Sequence, residues 1–119
     1  AGLSGSIDVL FNDYRELRGS YDHIVSIEMF EAVGYSHYDE YFRLCDRVLK
    51  PAGTMLLQTI TVSDQWFPRY HGSPDWIEAC IFPGGELAAI GEILASLARV
   101  TSMSLHAASH RTRDAARLL

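Results

Sequence analysis

Apolar residues along this chain fall into short blocks with two different periods. Ile7 to Phe11 is a β-rich run that Asn12 and Asp13, common turn formers, close off. After a polar stretch through Ser20, Tyr21-Asp-His23 leads into Ile24 to Ile27, a mostly apolar run typical of buried parallel strands. From Tyr38 to Leu49 the period changes. Tyr38, Tyr41, Phe42, Cys45, Val48 and Leu49 recur at helical spacing, with Asp39, Glu40, Arg43, Asp46 and Arg47 between them, which predicts an amphipathic helix. Pro51 stops that helix and Gly53 permits the turn into a further strand, Met55 to Ile60. A helix between two apolar strands is the βαβ signature, and its crossover is expected to be right-handed. Leu87, Ile90, Ile93, Leu94 and Leu97 predict a second helix, and Val100 to Leu105 alternates weakly as a last strand. The pattern is that of an α/β fold.

Two places break the rhythm. Glu28 and Glu31 follow the strand Ile24 to Ile27 at once, and ligands of open α/β sheets bind beyond the carboxyl ends of strands. Acids there also suit a helix start, where they oppose the helix dipole. From Asp64 to Gly85 the chain interleaves Trp66, Phe67, Tyr70, Trp76 and Phe82 with Pro68, Pro74, Pro83 and several glycines. Such excursions form lids or binding loops, and rings of this kind equally cap the end of a core.

Composition narrows the function classes. With 119 residues and 48% hydrophobic content the chain suits one domain with a modest core. A formal charge of -5 argues against a phosphate-tracking surface, so no nucleic-acid partner is expected. Arg111, Arg113 and Arg117 spread along a small-residue tail and read as a solvated helix face. Cys45 and Cys80 have neither zinc nor disulfide-framework spacing, which fits a reduced intracellular setting. No apolar run is long enough to span a bilayer, and Ala1 to Ser6 lacks the basic and apolar regions of a signal peptide. His106 and His110 stand four apart with no third ligand, so no metal site is expected.

Five segments then occur in a telling order: Asp13-Tyr-Arg15, Val25-Ser-Ile-Glu-Met-Phe-Glu-Ala-Val-Gly34, Leu49-Lys-Pro-Ala-Gly53, Leu56-Leu-Gln-Thr-Ile60 and Ile81-Phe-Pro-Gly-Gly85. Together they resemble the cyclopropane-fatty-acyl-phospholipid synthases and mycolic acid cyclopropane synthases. The resemblance runs from about Gly2 to about His106. It implies the C-terminal part of a Rossmann-like class I methyltransferase sheet, incomplete, with residues 1–119 a partial domain from the third strand onward and an aromatic insertion at about 62–85. The family's glycine-rich cofactor turn is expected to be absent, since Gly84-Gly85 follows no parallel strand. In that fold the first and second strands lie between the third and fourth, so Ile7 to Phe11 and Ile24 to Ile27 would lack a bridge. The stretch alone is therefore expected to be marginal or aggregation-prone.

What the resemblance implies for activity is methyl transfer from S-adenosylmethionine to the double bond of an unsaturated acyl chain of a phospholipid, giving a cyclopropane or a methyl-branched chain. This chain alone is expected to be inactive. Alternatives are a small-molecule methyltransferase of the same superfamily and a non-catalytic remnant. By the resemblance, Asp13 and Tyr14 would lie beside the adenine, and Ser26 and Ile27 under the methionine moiety. Glu31 would help hold a bicarbonate that serves as the base, with Gln58 and Ile60 around the same anion. Gln58 departs from the family's histidine, and Glu28 stands where many relatives carry glycine. The family's later tyrosine, near Ser109 or His110, has no counterpart. Trp66, Phe67, Tyr70, Trp76, Ile81 and Phe82 would form or cover the acyl tunnel, with Cys80 where an aromatic is common and Cys45 in the core. A cytoplasmic enzyme in peripheral contact with the inner membrane face is expected.

Overall fold

A computed structural model describes residues 2–3, 5–71 and 85–104. Strand β1, Tyr21–Ile27, pairs in parallel with β2, Leu49–Gln58, and helix α1, Tyr38–Val48, connects them. The ladder runs His23 to Thr54, Ile24 to Met55, Val25 to Leu56, Ser26 to Leu57 and Ile27 to Gln58. This is the βαβ unit expected from the sequence. A second parallel pair joins β3, Thr61–Val62, to β4, Ala88–Ala89. A short helix α2, Phe67–Tyr70, follows β3, and α3, Ile90–Val100, follows β4.

The core is built on α1. Its residues Tyr38, Tyr41, Phe42 and Cys45 pack with Phe30, Val33, Ala88, Ile93 and Leu97, and Ile24, Met55 and Leu57 come up against them from the sheet. Cys45 is thus a core residue, and burial pushes its thiol up to about 11. Phe30 is fully buried, its ring centroid 4.4 Å from Tyr38, 5.2 Å from Tyr41 and 5.4 Å from Phe42. On the outer side of the helix pair, Asp39 of α1 accepts from Ser96 Oγ at 2.6 Å and from Arg99 Nη2 at 2.7 Å, both on α3.

Three expectations change. Ile7 to Phe11 forms no strand: Ile7, Val9, Leu10 and Phe11 are exposed, Phe11 at 97%, and no neighbouring strand among the described residues takes up their amides. β2 begins at Leu49, directly after α1, rather than at Met55. The ladder is interrupted between Tyr21 and His23, so Pro51 and Gly53 sit in a bulge where proline's missing amide does no harm. Gly53 is required there, since a Cβ would stand 2.9 Å from the Asp22 carbonyl oxygen and 2.7 Å from Leu49 Cδ1. Val100 ends α3, and residues 101–104 form no strand. Thr101 instead turns its hydroxyl back to the Leu97 carbonyl at 3.0 Å and caps the helix.

Candidate active site

The site begins where β1 ends. The Glu28 amide still donates to the Gln58 carbonyl at 2.9 Å, but Glu28 itself has φ 50, in the left-handed region. That conformation costs a non-glycine residue about 1–2 kcal/mol. It turns the chain out of the sheet and into a 3-10 turn, Phe30–Ala32, which contains Glu31. Phe30 anchors this turn in the core, so Glu31 next to it is held at the boundary between core and solvent. Gly34, at φ 77, lets the chain turn again into Tyr35–His37 and α1.

Glu31 Oε1 accepts two hydrogen bonds from the segment just past β2, from Thr59 Oγ1 at 2.9 Å and from the Ile60 amide at 2.6 Å. Glu31 Oε2 is buried and has no hydrogen-bond partner among the described residues. Leaving a buried acceptor unsatisfied costs about 1–3 kcal/mol, so this geometry is one the surrounding structure imposes. The Tyr38 hydroxyl is likewise buried and has no hydrogen-bond partner among the described residues. Burial pushes the Tyr38 phenol up, and the charges of Glu86, Glu31 and Glu92 add to the effect.

From the other side, the Glu86 amide donates to the Glu31 carbonyl at 2.8 Å. The Glu86 carboxylate accepts from the Tyr35 amide at 2.9 Å through Oε2 and pairs with His71 Nδ1 through Oε1. Tyr35 donates its hydroxyl to Glu92 Oε2 at 2.9 Å, and the Tyr70 hydroxyl accepts from the Leu87 amide at 3.1 Å. His71 stacks on Phe67 at 5.4 Å with an interplanar angle of 11°.

The structure brings Glu31 and Ile60 into direct contact and places Gln58 at the strand end opposite Ile27. Gln58 and Ile27 are exposed, on the bare face of the sheet, while Ser26 points into the core. Ser26 Oγ lacks a hydrogen bond of ordinary geometry yet lies close enough to Tyr41 to offset slightly the rise that burial gives its phenol. Asp13 caps the 3-10 turn Tyr14–Glu16 and binds Arg15 through its amide and Nε at 2.9 Å each and Nη2 at 2.6 Å. Those bonds draw the Asp13 carboxyl down to about 2. Tyr14 is half-buried, edge-on to Tyr41 at 5.5 Å. Trp66 is 59% exposed under the Arg69 guanidinium, 5.5 Å from its ring centroid, whereas Phe67 is buried. Trp76, Ile81 and Phe82, with Cys80, His106 and His110, lie outside the described residues.

Sequence reasoning missed Thr59, His71, Glu86 and Tyr35. Thr59 was in view as part of Leu56-Leu-Gln-Thr-Ile60, but a hydroxyl beside a named amide carries no periodic signal. Glu86 follows Gly84-Gly85 and forms its contacts across 15 to 55 positions of sequence (His71 to Glu86 and Glu31 to Glu86), beyond any local pattern.

The chain matches the family described as mycolic acid cyclopropane synthetase over residues 1–117. It is 42% identical over 90 residues to the cyclopropane-fatty-acyl-phospholipid synthase of Escherichia coli K12, covering 76% of this chain and 22% of that one. It is 35% identical over 94 residues to the tuberculostearic acid methyltransferase UfaA1 of Mycobacterium tuberculosis H37Rv, covering 79% and 22%. Among solved structures it resembles the mycolic acid cyclopropane synthase CmaA1 complexed with SAH and CTAB, with a TM-score of 0.64 at 32% identity over 76% of this chain and 35% of that one. The cyclopropane synthase MmaA2 from Mycobacterium tuberculosis also matches with a TM-score of 0.64, at 25% identity over 81% and 39%. The chain thus spans about a fifth of the length of the first two relatives.

Proposed function

Since this chain belongs to the mycolic acid cyclopropane synthetase family, we propose that it supplies part of the site of a methyltransferase acting on the double bond of an unsaturated phospholipid acyl chain. The product is a cyclopropane or methyl-branched chain. One observation carries the reading: a carboxylate, Glu31, is fixed by Thr59 and Ile60 just beyond the carboxyl ends of two parallel strands.

S-adenosylmethionine, when bound, supplies an electrophilic methyl on a cationic sulfonium. The residues at the strand ends fit part of such a cofactor. Glu28 is exposed beside Gln58, and an open carboxylate complements a ligand bearing sulfonium and ammonium charges. Asp13 already accepts three hydrogen bonds from Arg15, and a carboxylate has about four lone-pair sites. One site on Asp13 remains for an adenine amine, with Tyr14 adjacent. In this reading the main chain at Ser26 and Ile27, the carboxyl end of β1, passes under the methionine moiety.

For a ring to close, the new methyl must lose a proton, and a base held near that carbon decides the outcome. In this reading Glu31, itself fixed by the Ile60 amide, orients that base, a bicarbonate held beside Ile60 and the Gln58 side chain. Gln58 can donate a hydrogen bond but carries no charge and relays no proton. That favours, as the second reading, a carbocation that instead loses a proton from a neighbouring chain carbon to water, leaving a methyl-branched alkene that carries the same added CH2. Phe67 and Tyr70, together with Trp66, would line the approach of the acyl chain, continued by Trp76, Ile81 and Phe82. Trp66 under Arg69 is an amphipathic pair suited to a lipid surface. Peripheral contact of a cytoplasmic protein with the inner membrane face follows from the same reading. Among the described residues no helix is long and apolar enough to cross a membrane.

The test is to give the full-length protein carrying this chain a methyl-labelled donor with a monounsaturated phospholipid, and to analyse the extracted lipid by mass spectrometry. Label in an acyl chain heavier by one CH2 supports the proposal, and the fragmentation pattern separates ring from branch. Label absent from lipid but transferred to small amines would replace it.

A further inference from the structure

Glu31 does not hold its own geometry. Oε1 is satisfied twice, yet Oε2 is buried without a hydrogen-bond partner among the described residues, so the side chain would gain by swinging out to water. Something must fix the main chain that carries it. Phe30 anchors one side of the turn in the core; on the other side the main-chain carbonyl of Glu31 is held by the Glu86 amide at 2.8 Å.

Glu86 is placed to act as a bolt. Its backbone holds Glu31, its Oε2 holds the Tyr35 amide four residues further on, and its Oε1 is held by His71 at the end of α2. The Glu86 side chain is 16% exposed and that of His71 45%, so solvent screens the pair only in part. Phe67 and Tyr35 pack against the His71 ring, which orients its Nδ1. Three segments separated in sequence therefore converge on one residue: the Glu86 amide holds the turn bearing Glu31, and its carboxylate ties the following turn at Tyr35 to His71.

We propose that Glu86, clasped by His71, is a positioning residue that holds Glu31 in register with the Thr59 hydroxyl and the Ile60 amide. The importance of Glu31 to catalysis rests on the function proposed above; the clasp itself can be tested without it. Loss of the Glu86 carboxylate would free the Tyr35 amide and untie Glu86 from His71, leaving the Glu86 amide to hold the Glu31 carbonyl without that support, so that the turn shifts and the short bond to Ile60 lengthens.

The readout is the Ile60 amide resonance in protein labelled with 15N-isoleucine, with the Ile24 and Ile93 amides as internal references. Glu31→Gln first defines the position of Ile60 when its acceptor is no longer a carboxylate. Glu86→Ala is expected to move Ile60 most of the way to that position while Ile24 and Ile93 stay in place. Glu86→Gln, which keeps an acceptor for the Tyr35 amide, is expected to restore most of the displacement. An unmoved Ile60 in Glu86→Ala, or equal movement of Ile24 and Ile93, would overturn the proposal. If Glu86→Ala does not fold, His71→Ala is read in the same way: a smaller shift of Ile60 in the same direction supports the clasp, and none contradicts it. In a parallel methyl-transfer assay, Glu86→Ala is expected to lower kcat by up to about 100-fold with the KM for the methyl donor unchanged. Absence of methyl transfer by the unmodified protein would count against the proposed function alone, because the amide readout still judges the clasp.

Discussion

Glu28 and Glu31 looked alike in the sequence, two acids three apart after an apolar run, and the backbone separates them. Glu28 pays for its place with a left-handed conformation and keeps its carboxylate in solvent, whereas Glu31 sits in a turn with one oxygen doubly bonded. In the full-length protein, in which every stability variant here is compared, Glu28→Gly is therefore expected to raise the unfolding free energy by about 1 kcal/mol, measured by urea denaturation, because glycine adopts that φ without the Cβ penalty. An unchanged or lower stability would mean that the Glu28 side chain makes a compensating interaction. The strand-end position of both acids was legible from sequence, since it needs only a β-run and its stop. Which acid is bound, and by what, was not: Thr59 and Ile60 lie 28 and 29 positions away from Glu31 and meet it only through the register of β1 against β2.

At the scale of elements, α1 was readable because its two faces differ so sharply, and it runs Tyr38–Val48, one residue short of the Tyr38 to Leu49 that the spacing predicts. The start of β2 was misread for a definite reason. Proline and glycine usually mark a turn, but here Pro51 and Gly53 occupy a bulge inside the strand, which only the partner strand reveals. Gly53→Ala is expected to destabilise by about 1–3 kcal/mol, because its Cβ would meet the Asp22 carbonyl as well as Leu49. Wild-type stability in that variant would show that the bulge can shift. The contact of α1 with α3 carries a pH dependence. Arg99, and then Ser96, hold the Asp39 carboxyl down to about 2 from an ordinary 3.8. A carboxyl depressed in the folded state stabilises it fully above 3.8 and loses that contribution as pH falls towards about 2. Asp39→Asn should therefore show a flatter loss of stability across that interval in acid denaturation, and an identical acid limb would contradict this.

At the scale of the molecule, the described residues cover the sheet of β1 and β2 on one face only. Ile24, Met55 and Leu57 face the core, while Val25, Ile27 and Leu56 remain 63%, 57% and 56% exposed, and Ile7 to Phe11 lies exposed as well. A two-stranded parallel sheet with one bare apolar face is poorly suited to stand alone. The isolated 119-residue chain is expected to unfold in denaturant without a sharp cooperative transition and to give no saturable heat with S-adenosylmethionine; a two-state curve, or a defined binding isotherm, would contradict that. The α/β class was legible because βαβ units write two periods into the sequence, but the failure of Ile7 to Phe11 to pair was not, since its composition is that of a strand and only a neighbour makes it one. The central claim is that Glu31 governs methyl transfer to the acyl double bond. Its most direct test compares Glu31→Gln with the unmodified full-length protein in the labelled-lipid assay. A loss of about 100-fold or more in the rate of modified lipid formation, with the Ile24 and Ile93 amides unmoved, is the expected result. A variant within a few-fold of the unmodified rate would contradict the account.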